Sequence, residues 1–153
     1  IEDKDRIVTG WGASLSGIWQ FAKNTSLCFQ GVYGKGISNY IQDISGTGLD
    51  LVPNATAEGK LKAFGAWGGY IGFSHNWSKV LTSNIMYSYA RVLDRYGMPT
   101  TSYKYAQYAA ANLFWDFSEY GSCAIEYVFG RRNDFNKDYG NASRINTMIQ
   151  YRF

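Results

Sequence analysis

The sequence predicts an all-β protein, an antiparallel up-and-down transmembrane β-barrel to which this chain contributes about seven to eight strands. Three observations carry that expectation. Polar and apolar residues alternate with period two over most of the chain, the spacing of strands whose two faces meet different surroundings. Aromatic residues gather at the two ends of each alternating run, as two membrane interfaces select. Connections between runs are alternately short and long, the asymmetry of outer-membrane barrels.

Composition agrees. The 153 residues are 46% hydrophobic and 18% aromatic, with 17 Gly and only 2 Pro, which excludes disorder, collagen and coiled coil. The net charge of +3 is too small for a nucleic-acid footprint, so no nucleic-acid partner is expected. No run of 18 apolar residues offers a transmembrane helix, which leaves membrane strands open. Length suits a single domain over 1–153.

In the first run, from Gly10 to Phe21, odd positions read Trp11, Ala13, Leu15, Gly17, Trp19, Phe21 and even ones Gly10, Gly12, Ser14, Ser16, Ile18, Gln20. After the turn Lys23-Asn24-Thr25-Ser26, the second run sets Leu27, Phe29, Gly31 and Tyr33 against Cys28, Gln30, Val32 and Gly34, which makes a hairpin. A polar stretch from Gly36 to Lys60 reads as a long loop. The third run sets Trp67, Gly69, Ile71, Phe73 and Trp77 against Ala66, Gly68, Tyr70, Gly72, Ser74 and Asn76. A turn near 76–79 leads to Leu81, Ile85, Tyr87 and Tyr89 against Thr82, Asn84, Met86, Ser88 and Ala90. The fifth run follows the loop 94–102, with Tyr105, Ala109, Ala111, Leu113, Trp115 and Phe117 opposite Lys104, Tyr108, Ala110, Asn112 and Asp116. The sixth sets Cys123, Ile125, Tyr127 and Phe129 against Ala124, Glu126, Val128, Gly130 and Arg132; the last sets Ile145, Thr147, Ile149, Tyr151 and Phe153 against Arg144, Asn146, Met148, Gln150 and Arg152. Seven strands result, with short turns near 24, 78 and 119 and long connections over 36–60, 94–102 and 131–143.

Trp19, Phe21, Phe29, Phe73, Trp77, Trp115, Phe117, Tyr151 and Phe153 lie beside the short turns. Tyr33, Tyr87, Tyr89, Tyr103, Tyr105, Tyr127 and Phe129 lie beside the long loops, and Trp11 completes the interface aromatics. Small or aliphatic residues such as Ala13, Leu15, Ile71, Ile85, Ala109 and Ala111 separate the two belts. The opposite faces are polar or small and need water beside them, which a barrel lumen supplies. Membrane lipids are therefore expected partners of one face and small solutes of the other.

If the short turns are periplasmic, the first strand starts outside and the last ends inside. An odd strand number follows, whereas single-chain bacterial barrels usually have an even one. With charged Ile1-Glu2-Asp3-Lys4-Asp5-Arg6 and no apolar leader, the chain reads as the C-terminal portion of a longer protein. A further strand near Leu49 to Val52 would instead complete a small eight-stranded barrel with a structural or adhesion role.

Asn24-Thr25-Ser26, Asn54-Ala55-Thr56, Asn76-Trp77-Ser78 and Asn141-Ala142-Ser143 match the N-glycosylation pattern, the main support for the alternative of a soluble secreted β-sandwich binding module. An enzyme is not expected. His75 is the single histidine, and its neighbours Ser74 and Asn76 point to the opposite face of a strand, so the three form no triad. Asp116 and Glu126 fall at different heights on neighbouring strands and form no acid pair. Cys28 and Cys123 fit no metal spacing and read as packing residues. No metal or organic cofactor is signalled; Asp43, Asp50, Asp134 and Asp138 are spaced unlike a calcium loop and are expected to be solvated.

The spaced set Ile149, Tyr151 and terminal Phe153, with Ile145, looks like the C-terminal signal by which barrel assembly machinery recognises outer-membrane proteins. The combination of Trp11-Gly12, Ser14-Leu15-Ser16-Gly17, Tyr33-Gly34-Lys35-Gly36, Ala111-Asn112-Leu113-Phe114-Trp115, Glu126-Tyr127-Val128-Phe129-Gly130-Arg131-Arg132 and Ala142-Ser143-Arg144-Ile145 resembles the C-terminal half of DcaP-like porins. The resemblance covers nearly all of this chain and about half of such a porin. It implies a sixteen-stranded, homotrimeric barrel in the Gram-negative outer membrane, in contact with lipopolysaccharide, that passes small, often anionic solutes such as dicarboxylates by diffusion.

For such a pore the charged and polar residues of the inward face matter most. Lys62, Lys104, Arg132, Arg144 and Arg152, against Asp116 and Glu126, suggest an anion-favouring lumen, with Asn112 and Gln150 beside them. Arg132 and Arg144, on adjacent strands near the outer end, are candidates to clamp one carboxylate between two guanidinium groups. Tyr108 and Phe114 would fill space below an inward-folded loop, a role the length of Gly36 to Lys60 assigns to that segment.

Overall fold

A computed structural model describes residues 7–53, 61–95 and 97–153. The alternation produces one seven-stranded antiparallel sheet whose strands follow chain order: β1 (Trp11–Ala22), β2 (Thr25–Lys35), β5 (Gly65–Asn76), β6 (Leu81–Val92), β7 (Tyr103–Asp116), β8 (Gly121–Asp134) and β9 (Tyr139–Tyr151). Two short strands, β3 (Leu51–Pro53) and β4 (Leu61–Ala63), pair only with each other. They lie in the long connection and do not join the wall, so the eighth strand looked for near Leu49 to Val52 does not extend the main sheet. Ile1 to Arg6 and the Asn54-Ala55-Thr56 tripeptide lie outside the described residues.

Register keeps parity across all seven strands. Trp19 pairs with Leu27, Leu27 with Phe73, Phe73 with Ile85, Ile85 with Ala111, Ala111 with Tyr127 and Tyr127 with Ile145, all odd-numbered. Because successive side chains of a strand point to opposite faces, one face of the whole sheet is odd and the other even. The odd face carries exposed Leu15, Ile71, Ile85, Ile125 and Ile145 between its aromatic ends. The even face is mostly polar or small, with Ile18, Val32, Met86, Val92, Phe114, Val128 and Met148 as apolar exceptions.

The aromatics form contacts along both ends of the odd face. Trp67 stacks on Tyr89 at 4.9 Å and Tyr89 on Tyr105 at 5.4 Å, while Trp11 meets Tyr33 edge-on at 5.6 Å. At the short-turn end Trp19, Phe21 and Phe73 form a chain, Trp115 meets Phe117, and Tyr120 meets Tyr151. These belts do not follow the register rows. Trp19 is in row with Ile145, whereas the terminal aromatic of β9 is Tyr151, six positions further on. A belt that climbs across the register is what tilted, staggered strands require if aromatics are to stay at one height.

Three local expectations are corrected. The connection read as 131–143 is strand on both sides of a four-residue turn, 135–138, with Lys137 at φ 75°. Its arms are polar on both faces, which hides the alternation: Arg132 Nε lies 2.9 Å from Asp134 Oδ1, and the Arg131 guanidinium stacks 4.2 Å above the Tyr139 ring. Tyr103, placed by parity in the outer belt, faces the other way because the β7–β8 register shifts between Tyr103 and Tyr105. It is buried, and its hydroxyl donates to Ala90 O at 3.0 Å. Trp67, not counted in the belts, sits at the centre of the outer one.

Both edge strands, β1 and β9, run toward the short-turn end. Pairing them with each other would be parallel, so antiparallel closure takes an odd number of additional strands.

The face assignment has a direct test. An Ile125→Arg change in the middle of the odd face is expected to cost about 2–4 kcal/mol of folding free energy in lipid vesicles, measured by urea unfolding. Met148→Arg on the even face is expected to cost far less, and equal losses would contradict the assignment.

Candidate functional site

The long connection after β2 folds onto the even face. Its neck is closed by Gly36, at φ +69°, whose N–H donates to Phe64 O at 2.8 Å, and by Phe64 N–H donating to Asp50 O at 3.0 Å. A side chain at Gly36 would have to adopt the left-handed conformation that glycine takes without penalty. The loop then makes two 3-10 turns, Ser38–Tyr40 and Gln42–Ile44. The Asp50 carboxylate holds the first of them, accepting from Ser38 N–H at 2.7 Å through Oδ1 and from Asn39 Nδ2 at 2.7 Å through Oδ2.

Burial of loop side chains against the sheet fixes the fold of this segment. Ile37, Ile41, Ile44, Leu49 and Phe64 form one cluster with Ala66, Ala90, Val92 and Tyr103, with Val32, Met98 and Ala106 packed around it. The wall residues are small at the points of closest approach. A Cβ on Gly12 would come within 3.0 Å of Ile37 Cγ2, and one on Gly68 within 3.0 Å of Ile41 Cγ2. The outer end of the even face is therefore a landing surface for the loop.

Below this plug lies a cavity of about 630 Å³. The loop contributes Tyr40, Gln42 and Asp43; the wall contributes Gln30, Tyr70, Met86, Ser88, Tyr108 and Arg144. Two adjoining recesses, of about 360 and 500 Å³, share Asp43 and are lined by Arg132. Asp43 is thus an acidic group on the loop facing a wall that carries Arg132 and Arg144. A larger depression of about 830 Å³ lies on the odd face, floored by Gly31 and Gly69 between Leu15, Trp67, Ile71 and Tyr87. It holds no charged group and belongs to the apolar surface.

The residues expected to line a pore divide into five places. Tyr108 and Arg144 line the cavity, and Arg132 the neighbouring recesses. Asn112 and Glu126 lie lower on the even face and bond to each other, Asn112 Nδ2 donating to Glu126 Oε2 at 3.3 Å. Asp116, Gln150 and Arg152 lie at the short-turn end, where Asp116 and Arg152 border a recess of about 370 Å³ and Gln150 is paired with Ser122. Lys62 is on β4, inside the loop, and Lys104 lies beside the Phe135 ring at 5.9 Å near the top of β7.

Arg132 and Arg144 do not meet as a clamp. Arg132 is in register with Gly140 and Arg144 with Val128, four positions apart along each strand, about 13 Å. Arg132 already has Asp134 and the face of Tyr103 at 5.6 Å, whereas Arg144 has no hydrogen bond or ion pair among the described residues. Three of the four acids considered for calcium are engaged too: Asp50 holds the loop, Asp134 binds Arg132, and Asp138 accepts from Asn136, while Asp43 borders the cavities. His75 is positioned by Thr25, whose hydroxyl is 2.8 Å from Nδ1, and by the edge of Trp77, which accounts for it without chemistry.

The fold matches that of a known channel. Over 94% of its length the chain superposes, at a TM-score of 0.76 and 19% sequence identity, on the crystal structure of the outer membrane channel DcaP of Acinetobacter baumannii. It spans 41% of that protein's length. The sequence itself matches no protein-family model and no curated protein. Likeness at this identity shows a shared antiparallel barrel-like architecture.

Tyr40, Gln42 and Asp43 were not legible as site residues. Nothing in a polar loop sequence marks which segment turns inward; the one available signal was the small residues Gly12, Ala66, Gly68 and Ala90 at one end of the even face. Docking of the loop has a testable consequence. Ile44 is fully buried, so Ile44→Ala is expected to cost about 2–5 kcal/mol. Ile44→Asp should release residues 36–64 to protease attack while the sheet stays intact by circular dichroism.

Proposed function

We propose that this chain forms part of the wall and the constriction of an outer-membrane porin, through which small hydrophilic solutes diffuse and in which anions are favoured. One observation carries the reading: a sheet with an apolar, aromatic-ended face has its own loop folded over the opposite, polar face, leaving a cavity bordered by arginine. Such an arrangement narrows a water-filled lumen and sets a field across it, which is all that passive selectivity requires. The likeness of the fold to the outer membrane channel DcaP supports the same direction.

On this reading the odd face contacts the lipid and lipopolysaccharide of the Gram-negative outer membrane. Ile149, Tyr151 and Phe153 are read by the barrel assembly machinery, and the missing wall is supplied by an odd number of further strands. A sixteen-stranded barrel and a homotrimer are the forms proposed for the whole protein, and dicarboxylates are the proposed solutes. No catalytic role is proposed for any residue. The soluble sandwich is disfavoured because the odd face of the described sheet is left bare, with Leu15 71% and Ile85 61% exposed.

Selectivity in planar bilayers tests the proposal. The protein purified from its native membrane is expected to favour chloride over potassium in a salt gradient. Arg144→Ala should shift the reversal potential toward cation selectivity, and more strongly than Arg132→Ala, because Arg132 is already paired with Asp134. Absence of any conductance, or a reversal potential indifferent to both changes, would refute it.

A further inference from the structure

Glu126 is the meeting point of a row of amide side chains on the even face. Register aligns Asn84 of β6, Asn112 of β7, Glu126 of β8 and Asn146 of β9 side by side. Asn84 Nδ2 donates to Asn112 Oδ1 at 2.7 Å, Asn112 Nδ2 donates to Glu126 Oε2 at 3.3 Å, and Asn146 Nδ2 donates to Glu126 Oε1 at 2.9 Å. The row has a direction. With its oxygen bound by Asn84, Asn112 has its NH₂ group to offer Glu126, and the two amides flanking the carboxylate both donate to it.

Arg144 stands next to this row. It precedes Asn146 by two residues on β9 and faces the same way, which sets it diagonally across from Glu126 at about 7–8 Å between backbones, within reach of two long side chains. An ion pair there would be the ordinary outcome. None forms among the described residues, and Arg144 instead lines the cavity under the loop, which Glu126 does not reach.

We propose that Asn112 and Asn146 are positioning residues that hold the Glu126 carboxylate along the row, so that it does not neutralise Arg144 and the guanidinium stays available to a small anion in the cavity. The physical basis is competition. Two hydrogen bonds to a charged acceptor, one on each oxygen, satisfy Glu126 where it stands, while a water-exposed ion pair gains little and costs side-chain freedom. Removing either amide tips that balance toward Arg144. The inference rests on the channel reading and on Arg144 as the group that meets the anion.

The test uses the protein purified from its native membrane, with reversal potentials in a KCl gradient and heat-modifiable migration as the check of folding. Asn146→Ala is expected to lower the chloride-over-potassium permeability ratio by about threefold or more, and Asn112→Ala, which loses the longer bond, by less. Adding Glu126→Gln to Asn146→Ala should restore the ratio, whereas Glu126→Gln alone should raise it much less; an equal gain in both backgrounds would mean that the amide does not act through the carboxylate and overturns the inference. In an Arg144→Ala background, Asn146→Ala should change nothing further. If Asn146→Ala alone does not fold, Asn84→Ala, which frees the Asn112 amide to turn away, is expected to lower the ratio in the same direction and by no more than Asn112→Ala does. An unchanged ratio in folded Asn146→Ala or Asn84→Ala protein, with Arg144→Ala still lowering it, overturns the inference and leaves the channel reading standing. An unchanged ratio in Arg144→Ala overturns the assignment of Arg144 and the inference with it.

Discussion

Parity is the constraint on which the rest depends. Strand pairing joins odd-numbered residues to odd-numbered ones through six consecutive antiparallel pairings, so a residue's number fixes its face almost anywhere in the sheet. A slip of one residue would turn Leu15, Ile71, Ile85 and Ile125 toward the polar side and Glu126 and Arg144 toward the apolar one. That cost holds the register more firmly than any single contact does. Two irregularities are tolerated, between Gln20 and Ala22 and between Tyr103 and Tyr105, and both lie at strand ends where the surroundings change.

The loop over 36–64 exploits the even face. That face would be expected to stay open to water, yet its upper part is small and apolar, with Ala66, Ala90 and Val92 each 1–2% exposed under the loop. The loop buries five apolar side chains there, and its polar edge, Tyr40 to Asp43, is left over the cavity. Apolar burial and a charged rim are thus two sides of one short segment.

Charge on the even face is arranged by what each group is bonded to. Arg132 and Asp134 compensate each other near the top, Glu126 is held by amides, and Arg144 between those levels is left without an ion-pair partner among the described residues. Counting cations and anions along the sequence would give every one of them equal weight. In a water-lined space a paired guanidinium contributes little field beyond its own neighbourhood, whereas an uncompensated one does.

Local information determined most of the sheet. Period-two alternation, turn residues near 24, 78 and 119 and aromatic placement sufficed to locate seven strands and assign both faces; of the two aromatics read as lying below an inward loop, Tyr108 borders the loop cavity and Phe114 stands six positions nearer the short turns. They were insufficient where the local pattern loses contrast. The arms of the 135–138 turn are polar on both sides and gave no alternation, and the bulge that turns Tyr103 inward is visible only in its pairing with β8. Tertiary structure alone decided that Asp43 faces the arginine side of the sheet, that Arg132 and Arg144 stand four positions apart, and that Asn146 lies beside Glu126. Those are relations between segments distant in sequence, set by register and by loop docking, and no periodicity within one strand encodes them.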